Sequence, residues 1–110
     1  MEIDALRQRL QADLMDARMR QDDISLLAIR SLLSALANAE AVPVPDGPYR
    51  VVEGGADVPR RVLTEAEVDA VVRAEIAERW SAIDVYTGHG VEPAALRAEV
   101  AALERYLLDG

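Results

Sequence analysis

The 110-residue chain has no cysteine, no lysine and a single histidine. Without cysteine there is no disulfide framework and no thiolate zinc site, and the composition fits a reducing compartment. One histidine cannot build a His-rich metal centre, so no metal and no cofactor are called for. No apolar run approaches a transmembrane span, and the opening MEIDALRQRL is charged and amphipathic rather than signal-like. The expectation is a cytoplasmic protein with no membrane association. A chain of this length is expected to be one domain, 1–110, burying roughly two-thirds of its unfolded surface without a covalent staple.

Positive charge is also scarce. The 12 basic residues are all arginine, set against 20 acids, for a net charge of −8. Residues 1–40 carry −2, residues 41–63 are neutral and residues 64–110 carry −6. Nucleic-acid affinity comes mainly from a basic surface that neutralises phosphates, so this balance disfavours it. Arginine without lysine, beside abundant Ala and Val, reads as the coding bias of a GC-rich genome.

What is present is helical periodicity, and its centre is Asp23–Glu40. On a 3.6-residue wheel Arg30, Ser31, Ser34 and Asn38 form a narrow polar stripe. Ile24, Leu26, Ala28, Ile29, Leu32, Leu33, Ala35, Leu36, Ala37 and Ala39 occupy the remaining circumference. A helix apolar over more than half its surface must be covered on several sides. The remaining segments supply that cover.

Residues 2–20 place Ile3, Leu6, Leu10, Leu14 and Ala17 on one face, and Asp16–Arg20 is an acid-first i,i+4 pair. Asp22 or Asp23 offers the next N-cap, and so short a link makes the first two helices antiparallel neighbours. Thr64-Glu65-Ala66-Glu67 fits a capping box that opens a helix over 64–87. Its face is Val68, Val72, Ile76, Trp80 and Ile83, flanked by Val71 and Tyr86. Asp69–Arg73 and Glu75–Arg79 are expected as pairs on its wet side. Gly88 is the expected left-handed C-cap, and Pro93 opens a helix over 93–108 with Leu96, Val100, Leu103 and Leu107 as its stripe. The predicted fold is all-α, four antiparallel helices with a long Pro/Gly-rich loop over 41–63. Within that loop Tyr49–Val52 and Val58–Leu63 either pair as a small hairpin, with Pro59 on an edge strand, or form an irregular loop.

LRQRLQADLMDARMRQD followed by LAIRSLLSALANAE resembles the opening helical hairpin of the GatB/YqeY-like family. The matching positions are Leu10, Asp13, Leu14, Ala17, Asp22, Arg30, Leu33, Ser34, Ala35, Asn38 and Glu40. The likeness resumes at Leu63-Thr64-Glu65, runs through Glu75 and Arg79, and closes on LERYL at Leu103–Leu107. The loop is longer than in typical members, and Val91-Glu92 follow Gly90 where the family has a basic residue. Members continue into a second helical subdomain similar to the tRNA-associated part of the amidotransferase B subunit, so the resemblance implies a short form here. It also implies an association with glutamine-dependent amidation of misacylated tRNA, a carbon–nitrogen ligase activity with glutamine as amido donor.

No catalytic constellation accompanies the resemblance. His89 lies between two glycines and reads as an exposed turn residue. Glu75, Glu78 and Glu99 lack the histidines of a carboxylate metal site and read as a solvated face. Ser31 and Ser34 are expected to bond back to their own helix, and Gly54-Gly55 is a turn rather than a phosphate loop. The binding candidates are Arg30, Ser34 and Asn38 beside Glu40, a polar groove in which Arg30 would hold a carboxylate or phosphate. The competing reading pairs Arg30 with Asp13 or Asp22 inside the hairpin. Trp80 and Tyr86 are expected in the core or at its edge. Two functions follow. One is a non-catalytic protein-interaction or accessory module that binds another protein or itself. The other is a tRNA-associated accessory factor, with Arg60, Arg61, Arg50, Arg18 and Arg20 on phosphates.

Overall fold

The computed structural model describes residues 1–41 and 61–107, and within them the chain is all-α. It contains α1 (Ile3–Met19), α2 (Asp23–Glu40), α3 (Glu65–Gly88) and α4 (Ala94–Glu104). No strand lies among the described residues. The expected hairpin arm at Tyr49–Val52 lies outside them, as do residues 58–60 of the second arm.

Each boundary has a chemical cause. Glu2 caps α1 by accepting from the backbone N–H groups of Asp4 and Ala5. Asp22 caps α2, accepting at 3.1 Å from Ser25 N. The capping box of α3 is formed as expected: Glu67 N donates to Thr64 Oγ1 at 3.1 Å and Thr64 N to Glu67 Oε1 at 3.1 Å.

The stops of α1 and α3 share one design. Asp22 N donates to Ala17 O and Gln21 N to Arg18 O, with Gln21 at φ +55°. Val91 N donates to Tyr86 O and Gly90 N to Thr87 O, with Gly90 at φ +75°. Both are Schellman turns, in which one left-handed residue lets two N–H groups reach back to orphan carbonyls. The left-handed residue after α3 is therefore Gly90, and Gly88, expected in that role, is the last residue of the helix. Pro93 precedes α4 as its cap, and α4 stops at Glu104, short of the expected 108, because Arg105 to Leu107 leave the helix in a turn.

α2 packs against α1, α3 and α4, and α3 also packs against α4. The expectation that the central helix is sheathed by the other three thus holds. Its buried stripe is Ala28, Ile29, Leu32, Leu36 and Glu40. Around it gather Ile3, Leu6 and Leu10 of α1, Leu63, Val68 and Val72 at the start of α3, and Leu103 and Tyr106 near the end of α4. Leu6, Leu10, Leu32, Leu36 and Leu103 are wholly covered, and burial of such a side chain is worth about 1.5–3 kcal/mol. No helix among the described residues is long and apolar enough to cross a membrane.

Candidate interaction surface

The polar side chains that the bundle encloses are matched to one another. Glu75 on α3 is buried and accepts from Ser31 Oγ of α2 at 2.6 Å. Arg79, one turn on, donates Nη1 to the Glu75 carbonyl at 2.8 Å and Nε to Glu99 of α4 at 3.2 Å. This network joins three helices. It corrects three expectations: Glu75–Arg79 is on the covered side, Glu75 and Glu99 are not a solvated face, and Ser31 donates across to α3 rather than back along α2. A buried carboxylate without a donor is costly, which is why the hydroxyl is recruited.

Two further pins hold α1. Arg7 pairs with the buried Glu40 at the end of α2, and Arg61 N donates to Glu40 O at 2.8 Å where the chain re-enters toward α3. Tyr106 Oη donates to Asp13 Oδ2 at 2.5 Å while the Arg9 guanidinium lies 4.9 Å from the Tyr106 ring centroid. Burial first, and the hydrogen bond to Asp13 second, push the Tyr106 phenol well above its ordinary value. Asp22 is held below the usual carboxylate range, chiefly by the Ser25 hydroxyl and then by its backbone N–H. Among the described residues no buried side-chain nitrogen or oxygen lacks a partner.

The sequence candidates do not converge on a cleft. Arg30, Ser34 and Asn38 are exposed on the solvent side of α2. Glu40 is on the opposite, buried side, so the four do not form one groove. Asp13 is engaged by Tyr106 and Arg9, and Asp22 by Arg20 and Ser25. The alternative pairing of Arg30 with either acid is therefore not made. Arg61 is paired with Glu67, Arg20 with Asp16 at 2.9 Å, and Arg60 and Arg50 lie outside the described residues. His89 is exposed in its turn, and no group of His, Cys, Asp and Glu suited to a metal occurs among the described residues.

What the candidates leave out is the apolar surface. Met15, Met19, Leu27, Val62, Trp80, Val85, Tyr86 and Val91 are exposed, and seven of these eight, all but Val62, lie toward the α1–α2 and α3–α4 turns. Trp80 and Tyr86, expected in the core or at its edge, are 44% and 49% exposed. Trp80 is braced from α4 by Arg97, 5.9 Å from the ring. On α3 the inward stripe Val68, Val72, Glu75, Ile83 is covered as far as Ile83 at 1% exposure, and Tyr86, next along it, emerges into solvent. Periodicity assigns Tyr86 to the inward side; only the lengths of neighbouring helices decide whether that side is covered. Leu27 and Val85 lie off the regular apolar stripes of their helices, and Val91 lies in the turn after α3, so helical periodicity points to none of the three.

Comparison with protein-family models, with curated proteins and with solved structures finds no match for this chain.

Proposed function

We propose that the chain is a non-catalytic helical interaction module, working in the cytoplasm through the apolar end of its bundle. The observation that carries this reading is the gathering of exposed Trp80, Val85, Tyr86 and Val91 at one end, while enclosed polar groups are used up in holding helices together. Aromatic side chains at a rigid helix end are the usual anchors of protein–protein contacts. The four helices are read as running alternately up and down, which the pairs Arg7–Glu40, Ser31–Glu75 and Arg79–Glu99 support. The GatB/YqeY-like ancestry is proposed on the motif resemblance alone. A tRNA-associated role in glutamine-dependent amidation is the weaker reading, since Arg20 and Arg61 are already held by carboxylates.

A photo-reactive residue placed at Val85, with Arg30 as the comparison position, tests the proposal in cells. The expected product is a covalent adduct at Val85 that protease destroys and nuclease leaves intact. A nuclease-sensitive adduct would favour the tRNA reading. No adduct at Val85 above that at Arg30 would overturn the interaction reading.

A further inference from the structure

We propose that the end of the α2–α3 seam, where Leu27, Val85, Tyr86 and Val91 are exposed, docks a basic amphipathic helix of another protein. This rests on the interaction-module reading and names its partner by chemistry.

Three observations combine. First, the surface is pre-organised. The Schellman turn after α3 ties Val91 N to Tyr86 O at 3.0 Å, fixing the backbone at the two positions whose side chains commonly pack together in this motif. Running from the Ser31–Glu75 bond toward the start of α2, one helical turn brings Leu27 to the level of Glu78 and Arg79. Leu27 on α2 and Val85, Tyr86 and Val91 around the end of α3 are thus the exposed apolar side chains this part of the bundle offers as anchor points to a helix whose own apolar residues recur three and four apart.

Second, the rim is acidic. Asp23, Glu78 and Asp84 are exposed, and their carboxylates have no cationic partner among the described residues. Arg79 and Arg97 are both committed, to Glu75 and Glu99 and to Glu92 respectively. Against the three free carboxylates stand Arg30, one turn from Leu27 on α2, and the exposed Arg18 in the last turn of α1, which leaves acids in excess. A basic partner is attracted to this rim, whereas a second copy would bring the same carboxylates and be repelled.

Third, the docking mode is restricted. No strand edge lies among the described residues, so a partner cannot add a strand to one there and must pack side chains against helices.

The test uses the full chain and a fluorescein-labelled synthetic peptide of about five helical turns, leucine on one face and lysine and arginine on the other. A second peptide keeps the leucines and carries glutamate in place of the basic residues. The basic peptide is expected to bind saturably, to weaken as salt rises, and to shift amide resonances over 82–91 and 23–27. Tyr86→Ser should weaken binding by about tenfold or more, the loss expected of a central aromatic anchor. Leu27→Gln on α2 provides an independent variant should the first fold poorly. Absence of binding, equal binding of the acidic peptide, or shifts centred elsewhere would each overturn the proposal. So would a concentration-dependent dimer abolished by Tyr86→Ser, which would make a second copy the occupant. In any of these cases a protein adduct at Val85 would leave the interaction-module reading standing.

Discussion

The Ser31 hydroxyl on α2 donates a 2.6 Å hydrogen bond to the buried Glu75 carboxylate on α3, across a separation of 44 residues. Glu75 in turn lies beside Arg79, whose Nε reaches Glu99 on α4. The interior of the bundle thus carries a charged network held by few donors, and each donor matters.

Ser31→Ala is expected to destabilise the fold by about 1–3 kcal/mol, because it strips a donor from a buried carboxylate. Arg79→Met should cost more, about 3–5 kcal/mol, since Glu75 and Glu99 would then be enclosed together without a cation. Urea unfolding checks both. Adding Glu75→Met to Ser31→Ala should recover part of the loss, and strict additivity of the two would show that the hydrogen bond contributes nothing.

Arg7 and Arg30 separate a pin from a solvated arginine. Arg7→Ala leaves Glu40 buried and unpaired and should cost about 1–3 kcal/mol. Arg30→Ala should change stability by less than about 0.5 kcal/mol, as expected for an exposed residue without a partner among the described residues. Equal losses in thermal melts would restore Arg30 to a structural role.

The two Schellman turns make opposite predictions. Gln21 occupies the left-handed position at φ +55° with a side chain that disfavours it. Gln21→Gly is therefore expected to stabilise the protein by about 0.5–1 kcal/mol, the gain in the fold exceeding the added freedom of the unfolded chain. Gly90→Ala should destabilise by about 1 kcal/mol. Nothing lies within 4 Å of a Cβ built there, so that loss would be conformational rather than steric. Melting temperatures of the two variants, moving in opposite directions, are the measurement.

Tyr106 predicts an alkaline transition. Its phenol keeps the proton to higher pH in the folded chain than in the unfolded one, where the ordinary value is about 10. The folded state binds that proton more tightly, so the contribution is complete below about pH 10 and is lost as pH rises above it. The sequence has no lysine and no cysteine, which leaves tyrosines and the α-amino group to titrate in this range. Stability by urea unfolding should fall from about pH 9 to pH 11 in the parent chain and fall less in Tyr106→Phe. Parallel pH profiles would remove Tyr106 from the account.

Much was legible from the chain itself because its causes are local. The capping box at Thr64 and Glu67, the Asp22 cap and the pairs Asp16–Arg20 and Asp69–Arg73 join residues within one turn. Short-range spacing determines them. So does the apolar excess of Asp23–Glu40, which requires cover from whatever surrounds it.

What lay beyond the sequence is long-range partnership and the extent of cover. Ser31 looks equally able to bond back along α2, and Glu75–Arg79 looks like an exposed i,i+4 pair, until α3 and α4 bring their faces inward. Asp13 and Asp22 were each open to Arg30 until Tyr106 and Ser25 took them. Tyr86 and Ile83 belong to one periodic stripe, yet one is exposed and the other covered. Periodicity identifies the side of a helix that seeks cover. Only the packing of helices of unequal length decides where along that side the cover stops.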